Sequence, residues 1–192
     1  MSRQFWSETV SWATASGTAI ATSTTETVLF PNVTVPANFL QDGRVLRIRA
    51  TGAYGTTATP TLTFTVRWGG VAGTVIAKTA AATQQSAIGG GASMTAMWDI
   101  EVFIQTRSNG STGTLMTNGI ATMYQSAAVT AATATTWGMS YPIVSGSTGG
   151  TTPVAVTADL TADTALSLTA TWGTSNAANS IQGLTYTVEA LN

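Results

Sequence analysis

Asp99 and Glu101 are the pair of side chains in this sequence whose types and spacing most suggest a reaction. Two residues apart on a strand, they share one face about 7 Å from each other, a separation that suits an inverting glycosidase. The competing reading makes them partners for Arg47, Arg49 or Arg107, as ion pairs on a solvated sheet face. That reading is preferred, because the rest of the catalytic repertoire is missing. The chain has no histidine and no cysteine, which removes the commonest general base, thiolate nucleophiles and the usual zinc ligands. We therefore expect no enzyme, no metal and no cofactor.

Other candidate sites are weaker. Asp159 and Asp163 bracket a short loop but lack the oxygen-rich, glycine-centred run of a cation site, so side chains bonding local backbone are the simpler expectation. Gly89-Gly90-Gly91 has no following helix or lysine, which argues against a phosphate cradle. Asn32-Val33-Thr34 and Asn109-Gly110-Ser111 match the glycosylation pattern without a secretion signal. Of the six tryptophans, Trp68, Trp98 and Trp172 stand at alternating strand positions and read as core.

The elements that would position these residues are strands. Between Arg44 and Gly70, Leu46, Ile48 and Ala50 alternate with Arg47 and Arg49. After a Gly- and Pro-punctuated connector, Leu62, Phe64, Val66 and Trp68 alternate with Thr61, Thr63, Thr65 and Arg67. A period of two buries one face and wets the other, so the stretch reads as a hairpin or a sheet-crossing pair. Met97–Arg107 is the most apolar strand and is expected at the centre of a sheet. Asn109-Gly110 signals a hairpin, and Asn118-Gly119 a second turn or a bulge. Thr164–Trp172 and Ile181–Leu191 read as a C-terminal hairpin.

Residues 1–25 are small and polar, with Phe5, Trp6 and Trp12 set among them, and read as an extended N-terminal arm. Large rigid rings give much contact area at low entropy cost. The three aromatics are therefore candidate partner-binding anchors, unless they fold back onto their own core. Residues 26–192 then form one all-β domain, an antiparallel β-sandwich and most simply a jelly roll.

Composition narrows the partners. Charged residues make up 8% of 192 positions and the net charge is −1, against about 25% charged in an ordinary soluble domain. No single-sign field is available to attract nucleic acid or an anionic membrane. A surface with so little charge repulsion suits permanent assembly. The N-terminus lacks the apolar run of a secretory signal, so synthesis in a cytoplasm is expected.

Three phrases carry a family resemblance: Arg49–Thr74 (RATGAYGTTATPTLTFTVRWGGVAGT), Trp98–Gly119 (WDIEVFIQTRSNGSTGTLMTNG) and Asn179–Asn192 (NSIQGLTYTVEALN). Together they make the chain resemble virion structural proteins of tailed bacteriophages, of the jelly-roll capsid decoration and fibre type. The resemblance implies a homotrimer on the capsid surface that contacts the major capsid protein, made in the host bacterial cytoplasm. It equally admits a trimeric tail-tip or fibre head that binds a host glycan through loop aromatics such as Tyr54, Trp137 and Tyr141.

Overall fold

The computed structural model describes residues 7–56, 60–83, 94, 96–124, 139–149 and 152–191. Phe5, Trp6, the Gly89-Gly91 run and Trp137 lie outside them. Among the described residues fourteen strands follow in chain order. They are β1 (Ser7–Trp12), β2 (Ile20–Ala21), β3 (Thr27–Val28), β4 (Val33–Val35), β5 (Val45–Gly55), β6 (Thr61–Trp68) and β7 (Thr74–Lys78). After these come β8 (Ala82–Thr83), β9 (Ala96–Ser108), β10 (Gly113–Met123), β11 (Met139–Ser145), β12 (Val156–Ala158), β13 (Thr164–Trp172) and β14 (Ser180–Leu191).

The long strands form where apolar and polar residues alternate. In β9 the buried positions are Ala96, Trp98, Ile100, Val102, Ile104 and Thr106, with half-buried or exposed residues between them. As expected, β9 is central, paired with β5 on one side and β10 on the other. The hairpin between β9 and β10 turns at Gly110, whose φ of 110° lies in the left-handed region that glycine tolerates.

All pairings are antiparallel, and the main path runs β1-β14-β5-β9-β10-β11-β7-β6-β13-β3. The path folds over on itself through β11, whose Val144 pairs with both Asn118 of β10 and Lys78 of β7. The two halves then face each other across one core. Phe64 of β6 meets Trp98 of β9 with ring centroids 5.5 Å apart. Trp68, Trp98 and Trp172 are all buried, as their strand positions indicate. This is the all-β architecture expected from the sequence, with the strand order of one continuous path where a jelly roll has two four-stranded sheets.

The pairing decides one local expectation, in favour of the sheet-crossing pair, and corrects two. β5 and β6 do not pair with each other but lie in opposite layers, so Arg44–Gly70 crosses between sheets. The C-terminal strands likewise form no hairpin: β13 pairs with β6, whereas β14 pairs with β5 and β1. Asn118-Gly119 is neither turn nor bulge, since the β9–β10 register runs through it unbroken. Glycine stands at 119 because a Cβ there would meet the Glu101 carbonyl oxygen at 2.4 Å.

From Ser7 onward, the stretch expected as an arm lies along the sheet of its own chain. Residues 7–21 run along the outer edge of β14, from Ser7 opposite Leu191 to Ala21 opposite Ser180. Between β1 and β2, Ala13 donates to the Tyr186 carbonyl and Gly17 to the Gly183 carbonyl. The chain then turns, with Thr22 at φ 54°, and runs back along β13 as β3 and β4. Residues 7–35 thus clasp the side of the sandwich opposite the β11 bend, and Ile20, Leu29, Phe30, Val33 and Val35 from this stretch are core. Both edges of the sheet would otherwise stand open.

Candidate interaction surface

The outer face of the layer β1-β14-β5-β9-β10-β11 is assembled in rows by the register. One row runs Thr9, Glu189, Arg47, Phe103, Asn118; the next runs Trp12, Thr187, Arg49, Glu101, Ile120. A third places Thr51, Asp99 and Thr122 side by side. On this face Met97, Ile120 and Tyr124 are each more than two-fifths exposed.

The rows decide the ion pairs. Arg49 and Glu101 are directly opposite, and the Arg49 Nε lies 2.9 Å from the carboxylate. Arg47 does not meet Asp99 or Glu101, because Phe103 stands opposite it on β9; its Nε instead donates to Glu189 of β14 at 2.8 Å. Asp99 takes no arginine. Its row neighbours are threonines, and it accepts a hydrogen bond from the Tyr124 hydroxyl, whose pKa that bond and some burial push up. The pair suggested as glycosidase carboxylates therefore lies on a pleated sheet face with Glu101 already engaged.

Sequence reasoning missed a third pair in the other layer. The Arg67 guanidinium donates twice to Glu26 at 2.6 Å, and Thr169 donates to the same carboxylate at 2.5 Å. Burial works to raise the Glu26 pKa, but the bonds from Arg67 and Thr169 outweigh it and hold the carboxyl below its usual range. Nothing in the low-complexity run before Glu26 pointed to it. Only the pairing of β3 with β13 and of β13 with β6 brings the two together.

Asp159 accepts from the backbone and hydroxyl of Thr161, a local turn, and Asp163 accepts from the Ala37 amide. No cluster of three or more metal-ligating side chains occurs among the described residues.

The loop aromatics proposed for glycan stacking are placed differently. Tyr54 is 1% exposed and its hydroxyl donates to the Tyr124 carbonyl at 3.0 Å. Burial, with Tyr141 beside it, pushes the Tyr54 phenol up to about 12. Tyr141 packs against the core. Neither ring offers an open stacking platform. Among the described residues the exposed aromatics are instead Trp12, 62% exposed at the end of β1, and Tyr124.

Trp12 borders a groove of 640 Å³ between the two runs of the clasp, which Val28, Leu29, Phe30, Pro31 and Tyr186 also line. Phe30 lies flat on Tyr186, centroids 4.8 Å apart and 15° from parallel. Comparison of the chain with protein-family models, curated proteins and solved structures finds no match.

Proposed function

We propose that this chain is a structural virion protein, a capsid decoration protein that binds the assembled head of a tailed bacteriophage as a homotrimer and stabilises it. Its partners are then further copies of itself and the major capsid protein, and its place is the capsid surface. The observation that carries the reading is the outer face of β1-β14-β5-β9-β10-β11. There four of the scarce charges are neutralised in pairs, Arg47 with Glu189 and Arg49 with Glu101, beside exposed Met97, Ile120 and Tyr124. Such a face costs little to desolvate and has no strong field to choose a charged ligand. It is suited to binding by buried area, on the order of 1,000 Å² or more for a specific contact. The resemblance of three phrases of the sequence to phage virion proteins points the same way.

The test is an Ile120→Asp variant mixed with purified heads that lack the protein. The charge lies on a solvated face, so the variant folds with an unchanged circular dichroism spectrum and its occupancy on sedimented heads falls at least tenfold. Wild-type occupancy by the folded variant would refute this use of the face. Quantitative mass spectrometry of whole virions tests the location. Hundreds of copies per particle are expected, and a handful would assign the protein to the tail.

A further inference from the structure

We infer that Asn109 is a site of spontaneous covalent modification, at which the Gly110 backbone nitrogen attacks the asparagine side chain and converts it to aspartate and isoaspartate. The chemistry is the turn's own and depends on neither the capsid nor self-association.

The chain holds Asn-Gly twice, at 109–110 and 118–119. Glycine leaves the amide after each asparagine uncrowded, because it has no Cβ. The fold separates the two sites. Asn118 is the more exposed, yet Gly119 pairs with Val102 of β9 on one side and Ile143 of β11 on the other. In a pleated strand held on both sides the amides point along the sheet and the side chains stand off it, so the Gly119 nitrogen cannot reach the side-chain carbonyl carbon of Asn118. Asn109 stands just beyond the last pair of the hairpin, Ser108 opposite Thr114. Gly110, at φ 110°, has nothing within 4 Å of where a Cβ would lie. Its carbonyl accepts from the Gly113 and Leu160 amides at 3.0 and 3.1 Å, but its own N–H donates to no described residue. The nucleophile is therefore unengaged and has room to swing. With Gln41, Asp42 and Ser108 the turn lines an open polar hollow, through which water reaches it.

The step balances without an oxidant or a cofactor. Hydroxide removes the Gly110 amide proton, the nitrogen bonds to Asn109 Cγ, and Nδ2 leaves as ammonia. Water then opens the cyclic imide at either carbonyl, so one water is consumed and one ammonia released. The products undo the local ties. Asn109 Nδ2 donates to Gln41 Oε1 at 3.0 Å, and Gln41 is held in that orientation because its Nε2 donates to the Asn38 carbonyl at 2.7 Å. A carboxylate in place of the amide sets oxygen against oxygen there. It also adds a second charge beside Asp42, whose carboxylate accepts from the Asn109 backbone amide at 2.7 Å. The isoaspartyl form further lengthens the main chain of the turn by one carbon. Conversion thus frees the turn between β9 and β10 from the loop before β5.

The test ages the purified full-length chain for weeks in mildly alkaline buffer and follows both asparagines by fragmentation mass spectrometry. Isoaspartate is measured separately, by methyl transfer from a protein isoaspartate methyltransferase. In the folded chain Asn109 gains the mass of an amide-to-acid exchange and takes up methyl groups, while Asn118 keeps its amide although it is the more exposed. In urea, where both backbones are free, the two sites convert at similar rates. An Asn109 that stays intact in the folded chain overturns the inference, as does an Asn118 that converts as fast beside it. The variant Asn109→Asp reproduces the aspartyl product in every molecule. Its thermal midpoint falls by about 2–4 °C, the shift that one lost hydrogen bond gives in a chain of this size. An unchanged midpoint would show that conversion does not loosen the turn and would refute that consequence.

Discussion

At the scale of single residues, burial separates ion pairs that look alike in the sequence. Arg67 and Glu26 have side chains 18% and 21% exposed and share their carboxylate with Thr169, whereas Arg49 and Glu101 are 59% and 33% exposed. Arg67→Ala strands a half-buried carboxylate and is expected to cost about 2 kcal/mol in urea denaturation. Arg49→Ala is expected to cost less than about 1 kcal/mol. Equal losses would show that exposure does not rank these pairs. The depressed Glu26 carboxyl fixes a sign in acid. Its contribution is complete above the ordinary value of 4.5 and is lost as pH falls through the lower folded value. Glu26→Gln therefore loses stability at pH 7, and its deficit relative to wild type shrinks below pH 4.5. In alkali the sign reverses. Tyr54 in the folded state stays neutral up to about 12 against an ordinary 10, so stability is intact below pH 10 and falls as pH approaches 12. Tyr186, which burial also pushes up, ionises with it. Tyrosinate absorbance at these two sites should rise together with loss of far-ultraviolet dichroism, and ionisation of all four tyrosines before unfolding would contradict it.

At the scale of elements, the clasp is the part most open to a decisive change. Removing residues 1–6 leaves every described strand in place and should not alter the melting temperature. Removing residues 1–21 uncovers the edge of β14 and deletes buried Ile20. That variant should melt lower and aggregate, because a bare edge strand is a template for pairing with other chains. Gly183→Ala probes the same region from the other side. The added methyl displaces Phe30, and a cost of about 2–3 kcal/mol is expected from overpacking at this contact. How legible these elements were in the sequence follows from their length. β5, β6, β9 and β14 each carry several alternating positions, and the class of fold could be read from them. β2 has two residues, too few to show a period, and β1 lies among small polar residues, so the outer run of the clasp, residues 7–21, read as an arm. Partner choice was equally hidden. Asn118-Gly119 has the local form of a turn, yet the long register with β9 overrode it. Arg47 was matched with the acids of β9 because nothing local shows that β14 is its other neighbour. Of the candidate surface, the Arg49–Glu101 pair was legible, while the groove, built from three separate parts of the chain, was not.

At the scale of the whole molecule, the path of the sheet joins sequence ends. β1 near the start pairs with β14 at the finish, β14 also pairs with β5, and β13 takes β3, β4 and β6. Nearly every layer contact therefore waits for segments far apart in the chain, and the last twelve-residue strand, β14, supports β1, β2 and β5 at once. Loop closure across such separations must occur before the pairings stabilise anything, which places refolding in the range of milliseconds to seconds rather than microseconds. The hairpin of β9 and β10, like the shorter one of β6 and β7, is instead local, with a tight turn at Gly110. Substitutions that weaken this hairpin, such as Leu115→Ala, should slow folding, whereas substitutions in the clasp, such as Leu29→Ala, should chiefly speed unfolding. Stopped-flow chevrons on the two variants separate these outcomes. If Leu29→Ala slowed folding as much as Leu115→Ala, the clasp would have to be in place at the transition state, and the sandwich would close from its open side rather than from the β9–β10 hairpin.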